Sequence, residues 1–221
     1  MRRTVLLCFL SMSVLFLSAH AAWAVKTSSG NLPPCAPAHY VTESQFHAEF
    51  PTANPPFTIS AVDHQANDGC GGYTPPTGIP GTTQTESFGS DMTVMTNYGR
   101  VSGSGGVTVD VTTTANPQVY DTEMTQMLIS FPIPFGLGYA LIQEDQDPNK
   151  KSVGQTTIMP MGGMYSITSF FDVFTELSLD GGMTWHDASN SGRVTLVPEP
   201  TSLVLFGLGF VGLFGRRSRL R

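Results

Sequence analysis

The feature that most restricts the fold is an alternation of period two. In Val107-Thr108-Val109-Asp110-Val111-Thr112 every second side chain is apolar, the pattern of a strand with one buried face. Further strands are predicted at 127–131, 139–143, 156–159, 165–168 and 192–197. Phe171, Val173, Thr175, Leu177 and Leu179 would share one face of a long strand, with Phe170, Asp172, Phe174, Glu176 and Ser178 on the other. Nothing between the two ends of the chain sustains a 3.6-residue period. Short alternating runs separated by Gly, Pro, Asn and Asp predict an all-β fold, an antiparallel β-sandwich over residues 86–197.

Residues 25–85 read differently. Pro33-Pro34, Pro55-Pro56, Gly69-Cys70-Gly71-Gly72 and Pro75-Pro76 interrupt every apolar pattern, and such clusters mark turns. An irregular Pro/Gly-rich extension is expected there, with a helical turn or two over 42–50. Gly103-Ser104-Gly105-Gly106 also reads as a turn. Cys35 and Cys70 lie in the irregular region. A pair of cysteines in an exported chain predicts one disulfide, closing a loop of about 35 residues and stabilising by roughly 3–4 kcal/mol. A metal site or a reactive thiol are the other uses of such a pair.

The two ends carry targeting signals. Met1-Arg2-Arg3, the apolar run Val5 to Leu17 and Ala22-Trp23-Ala24 form the three parts of a secretory signal. Cleavage is expected after Ala24, with Ala19-His20-Ala21 as the second site. At the other end stand Val197-Pro198-Glu199-Pro200, an apolar glycine-rich run from Ser202 to Gly215, and Arg216, Arg217, Arg219 and Arg221. The prolines stiffen the segment and break it from the domain before it. The arginines favour the cytoplasm and leave the body outside. A helix of that run would be about 21 Å long against a hydrocarbon core of about 30 Å, which suits a temporary anchor. The division expected is 1–24 signal peptide, 25–85 irregular region, 86–197 β-sandwich and 198–221 sorting anchor.

Pro-Glu-Pro, a short apolar helix and an arginine cluster in that order resemble the PEP-CTERM sorting signal. The resemblance implies export in a Gram-negative, polysaccharide-producing bacterium. It also implies processing at the Pro-Glu-Pro region by an exosortase, a cysteine protease-like membrane enzyme. The inner membrane, through the C-terminal helix, is then a partner, and the cell surface or extracellular matrix the destination. Gly207-Leu208-Gly209-Phe210-Val211-Gly212 spells G-x-G-x-x-G, but no βαβ unit surrounds it. Its glycines read as close-packing positions of a membrane helix.

Charge narrows the partners. The body between the two ends holds five strong bases, Lys26, Arg100, Lys150, Lys151 and Arg193, against 16 of the 17 acids, a net charge of −11. Nucleic acid, which needs clustered bases, is excluded. Divalent cations are not, and Asp145, Asp147 and Asn149 have the D-x-D-x-N spacing that opens a calcium loop. An EF-hand needs Gly at its sixth position and Glu at its twelfth, and here these are Lys150 and Thr156. A looser calcium turn or a solvated loop remains. No other cofactor is expected.

Ser178, Asp180, Gly182, Thr184 and Trp185 match the S-x-D-x-G-x-T-W pattern of the Asp-box, and this stretch resembles the hairpins of sialidases and other β-propellers. One copy in a short body implies a hairpin staple rather than a propeller. The histidines His39, His47, His64 and His186 form no i, i+4 pair, and no G-x-S-x-G elbow is present. The sequence therefore points to a non-catalytic exported surface or matrix protein. An exopolysaccharide-binding module using Trp185, Tyr139 or Tyr165 is the second reading, and a secreted hydrolase the third.

Overall fold

In the computed structural model the described residues are 24–42, 47–77, 79–133 and 138–198. They form thirteen strands: β1 (Val25–Thr27), β2 (His39–Thr42), β3 (Ala48–Phe50), β4 (Phe57–Asp68), β5 (Thr83–Thr96), β6 (Gly99–Thr113), β7 (Val119–Ile133), β8 (Gly138–Glu144), β9 (Ser152–Met161), β10 (Met164–Val173), β11 (Thr175–Ser178), β12 (His186–Asp187) and β13 (Gly192–Val197). The predicted alternation at 107–112 lies inside β6, and the run at 192–197 is β13.

All pairings are antiparallel, but the sheet does not divide into the two layers of a sandwich. β9 pairs β7 on one edge and β10 on the other. This closes a ring of eight strands in the order β4-β5-β6-β7-β9-β10-β13-β2. The fold is therefore an antiparallel barrel, and closure removes the open edges that a sandwich would leave.

The four long strands β4 to β7 extend past that ring. There β7 exchanges β9 for β8, and β8 leads to β11 and β12. On the other side β4 exchanges β2 for β3. A backbone hydrogen bond of 2.8 Å from Ser189 N–H to the Glu49 carbonyl draws the end of β12 toward β3. The molecule thus has two storeys sharing four strands.

Each exchange coincides with a bulge. In β7 the inward residues are Tyr120, Thr122 and Met124 below and Met127, Ile129, Phe131 and Ile133 above, and the register against β6 shifts between Thr108 and Val109. In β4 Phe57 and Ile59 point inward above and His64 and Ala66 below, with a shift between Ile59 and Ala61. A bulge inserts one residue and so changes the parity of the inward face.

Several expectations are corrected. Residues 25–85 supply β1 to β4, and position 86 falls inside β5. The expected helical turn at 42–50 is replaced, over its described part, by Ala48–Phe50 in strand β3, paired with β4. The long strand expected over 170–179 breaks at Phe174, where the chain passes from the lower to the upper storey. There the Phe174 N–H donates to Ser152 Oγ (3.0 Å) and its carbonyl accepts from Asp145 N–H (3.0 Å). Gly103 to Gly106 form no turn but lie within β6 between β5 and β7. A Cβ at Gly103 would meet the Ser130 carbonyl at 2.0 Å, and one at Gly105 the Leu128 carbonyl at 1.9 Å. Backbone crowding, not a turn, requires these glycines.

The Pro/Gly-rich segments plug the lower end of the barrel. Leu32 is buried and bridges Tyr73 through N–H···O bonds of 2.8 and 3.2 Å. Gly71 N–H donates to the Pro33 carbonyl (2.8 Å). The Cys35–Cys70 disulfide, with Cα atoms 5.1 Å apart, joins the same two segments. The upper core is aromatic: Phe57 lies 6.3 Å from both Phe50 and Phe131, and 5.7 Å from Tyr98, between ring centroids. Gly105→Ala is expected to cost about 1–3 kcal/mol or more by overpacking. Gly106→Ala, whose Cβ meets nothing within 4 Å, is expected to stay within about 0.5 kcal/mol. Urea denaturation of the two variants checks both.

Candidate functional site

The C-terminal tail leaves the barrel wall with no spacer. Leu196 is fully buried on β13 and pairs Tyr40, and Val197 pairs His39. Pro198, which has no N–H to continue the ladder, follows at once. β13 and β1 share one edge of β10: β13 takes Phe170 to Val173, and β1 takes Tyr165 to Ile167. Ala24 and Pro198 consequently line a common groove. Both predicted processing points, after Ala24 and around Pro198, come together there, although they are distant in sequence. Ala22, Glu199, Pro200, Arg216, Arg217, Arg219 and Arg221 lie outside the described residues, as do the signal peptide and the apolar run expected to anchor the chain.

The acidic loop is held by its own turn bonds. Asp145 Oδ1 accepts from Asp147 N–H (2.9 Å), and Asp147 Oδ1 accepts from the backbone N–H (2.9 Å) and Nδ2 (2.8 Å) of Asn149. These bonds hold the Asp147 carboxyl below its ordinary range. The sequence candidates thus point to separate partners. The carboxylates that do converge are Asp145, Glu176 and Asp187, with one oxygen of each within 4.8 Å of the others. Glu176 and Asp187 come from β11 and β12, so no local spacing announced them. Lys150 stands among them, with Nζ 2.6 Å from Asp187 and 2.9 Å from the buried Asp145. Its hydrogen bonds to Asp187 and Asp145 raise its pKa above the ordinary lysine range. A cation is therefore already in place at the acidic cluster.

The Asp-box residues form a closed turn after β11. Ser178 Oγ donates to Asp180 Oδ1 (2.8 Å) and accepts from Gly182 N–H (2.8 Å). Asp180 Oδ1 accepts from the N–H groups of Met183 (3.0 Å) and Thr184 (2.9 Å), and the Thr184 hydroxyl donates to Oδ2. The bonds from Thr184, then that from Ser178, hold the Asp180 carboxyl down at about 2. Gly181 and Gly182 take φ of 77° and 92°, which side chains resist. Trp185 is half-buried.

The family described as the PEP-CTERM protein-sorting motif matches residues 196–219. This chain carries a PEP-CTERM sorting motif. No curated protein matches it, and no solved structure does. The motif marks an exported protein of Gram-negative type that an exosortase sorts and processes. Its first two residues, Leu196 and Val197, belong to the barrel wall, so the PEP-CTERM motif begins inside the fold. Among the described residues no helix is long and apolar enough to cross a membrane.

The interior of the lower storey holds polar groups of which the chain alone had marked only His64, as a histidine without a paired ligand. Tyr40, His64, Glu86, Thr122 and Thr156 line a cavity of about 40 Å³ together with Val109, Phe171 and other apolar side chains. His64 bonds Ser90 Oγ, and Thr156 Oγ1 bonds Ser169 Oγ (2.8 Å). Thr122 Oγ1 has no hydrogen-bond partner among protein groups. Burial pushes Tyr40 up to about 12, His64 down to about 4 and Glu86 up to about 7. A neutral glutamic acid at mid-range pH is thus built into the barrel. A cavity of this size admits water but falls far below the roughly 300 Å³ of a ligand pocket.

Two predictions follow from these clusters. Lys150→Ala leaves the buried Asp145 carboxylate without its cation and is expected to lower Tm, and adding Asp145→Asn recovers most of the loss; thermal melts of the single and double variants check this. For Glu86 the unfolded chain releases a proton near its ordinary 4.5 that the folded chain keeps until about 7. Stability from this group therefore falls as pH rises through that window. His64 acts in the opposite sense, losing stability as pH falls from 6.5 toward 4. Glu86→Gln is expected to raise Tm at pH 8 and to leave it nearly unchanged at pH 4.5, as measured by melts at the two values.

Proposed function

We propose that this protein is a non-catalytic barrel displayed outside the inner membrane by its C-terminal segment and delivered to the cell surface or extracellular matrix when the exosortase acts. The observation that carries this reading is the attachment of the PEP-CTERM motif directly to β13, beside Ala24, after which signal cleavage is expected. One edge of β10 thus receives both the first and the last described strand. The body then exports as a closed unit joined to the membrane at a single place.

The interior supports a scaffold role. The two cavities inside the barrel measure about 50 and 40 Å³, too small for a sugar or peptide substrate. Lys150 stands at the acidic cluster, bonded to Asp145 and Asp187. The Ser90–His64 pair is buried, and the cavities that His64 lines are the same two small ones.

Exopolysaccharide binding is the second reading, and one observation favours it. Tyr139 on β8 is 67 % exposed, a ring offered to solvent where a sugar face would stack. Tyr165 lies at the opposite storey, against Thr27 and Pro160, so it does not join Tyr139 in one platform. The test of the primary reading replaces Pro198, Glu199 and Pro200 together by alanine in the producing cell. The variant is expected to accumulate in the inner-membrane fraction while the natural chain passes to the surface or medium. Equal distribution of the two would remove the sorting role of this segment. Binding of the exported chain to the cell's exopolysaccharide, with calcium and with chelator, tests the second reading. It is expected to be weakened by Tyr139→Ala if Tyr139 stacks on sugar.

A further inference from the structure

We infer that the β9–β10 hairpin tip is a membrane-contact element that rests in the interface of the bilayer holding the C-terminal segment. The inference rests on the anchoring reading above and adds which surface of the barrel meets the lipid.

The direction of the chain comes first. β13 runs antiparallel to β10 with Thr195 opposite Phe170. Two residues later Val197 is level with Thr168, and the chain is heading toward the turn at Gly162 and Gly163 that joins β9 to β10. β1 occupies the rest of that edge, from Ile167 to Tyr165.

The distances then leave little freedom. Pro198, Glu199, Pro200 and Thr201 alone separate the barrel from the apolar run that starts at Ser202. The five residue steps from Val197 to Ser202 reach at most about 18 Å. From Thr168 to the turn at Gly162 and Gly163 the strand advances five to six residues, about 17–20 Å. The apolar run therefore starts no farther out than the hairpin tip. A bilayer that takes up Ser202 and its successors meets the tip as well.

The tip has the chemistry for that contact. Met159, Met161 and Met164 are 45 %, 52 % and 44 % exposed. From Val153 to Phe171 the chain contains no Asp, Glu, Lys or Arg, although the body as a whole is strongly acidic. Tyr165 stands at the base of the tip, an aromatic with a polar end, as at membrane interfaces. Lys26, paired with Ser166, is exposed on the face that carries Met159, Met161 and Met164. Ile79, 79 % exposed, lies at the same end, its carbonyl accepting from Thr113 Oγ1. Methionine is flexible and polarisable and adapts to a disordered apolar medium.

The native methionines report on this directly. The exported chain, Val25 to Arg221, is placed on phosphatidylcholine vesicles and treated with hydrogen peroxide, and sulfoxide is measured at each methionine by mass spectrometry. Met183, 83 % exposed on the Asp-box turn of the upper storey, is the internal control. Flotation reports anchoring independently. Met161 and Met164 are expected to oxidise at least about fivefold more slowly than Met183, since lipid excludes the oxidant. A second chain carries about sixteen Gly/Ser residues between Thr201 and Ser202, a spacer of roughly 22 Å root-mean-square length. It is expected to float but to lose the protection. Equal oxidation of Met161, Met164 and Met183 in a natural chain that floats overturns the inference and leaves the anchoring reading intact. Protection that persists with the spacer, or without vesicles, assigns the tip to a second copy of the chain and also overturns it. A chain that does not float removes the anchoring reading and this inference with it.

Discussion

Two bulges govern the architecture, one in β4 between Ile59 and Ala61 and one where β7 passes from Met124 to Gln126 against β6. Long antiparallel strands keep one face inward only while their parity is unbroken. At these bulges the parity changes and, at the same level, the neighbours change: β2 gives way to β3, and β9 to β8. A single ladder of four long strands can then serve two different closures. Were the strand regular through this point, with no bulge, the apolar set Met127, Ile129 and Phe131 would face solvent while Thr122 and Met124 faced inward. The second storey would have no core.

The two storeys are filled in different ways. The upper one is closed by aromatic contacts among Phe50, Phe57, Phe131 and Tyr98. The lower one encloses Tyr40, His64, Glu86 and Thr122 among aliphatic side chains and is stopped by the segments around Leu32 and Tyr73. Burial of these polar groups disfavours their charged forms, which is why Glu86 and His64 shift in opposite directions and oppose one another between about pH 4.5 and 6.5. Leu32 and Pro33 of the plug help to line the cavity that holds these groups, and the Cys35–Cys70 disulfide ties the plug's two segments together.

The same end of the barrel carries Ala24 and Pro198, the plug and the uncharged hairpin, so the start of the sorting motif and the first described residue meet at one pole. The cluster of Asp145, Glu176 and Asp187 and the Asp-box turn lie in the other storey. This polarity follows from β10, whose one edge accepts β13 and β1 end to end and whose other edge accepts β9. A proline at position 198 ends the ladder where β1 begins, with β13 running toward the hairpin.

The C-terminal sorting motif, the strand class and the last strand were legible in the chain alone. Each of these is a local pattern: the order Pro-Glu-Pro, apolar run and arginines, the alternation from Val107 to Thr112, and the apolar positions of 192–197. Local physics sets them, because solvation and side-chain direction depend on near neighbours. The Asp-box turn was legible for the same reason, since all its hydrogen bonds fall within Ser178 to Thr184. Only the tertiary structure decided that the sheet closes into a barrel, because closure depends on β9 finding a partner on each side. It decided that Gly103 and Gly105 are crowded strand positions rather than a turn, because the crowding atoms belong to β7. It decided that residues 25–85 build wall and plug, because proline and glycine report what a segment cannot form by itself and not what other strands can pair with. It placed Lys150 between carboxylates from three separate elements, and set Glu86 and His64 inside. Those contacts join residues far apart in the chain, and no spacing along the sequence encodes a distance across a barrel.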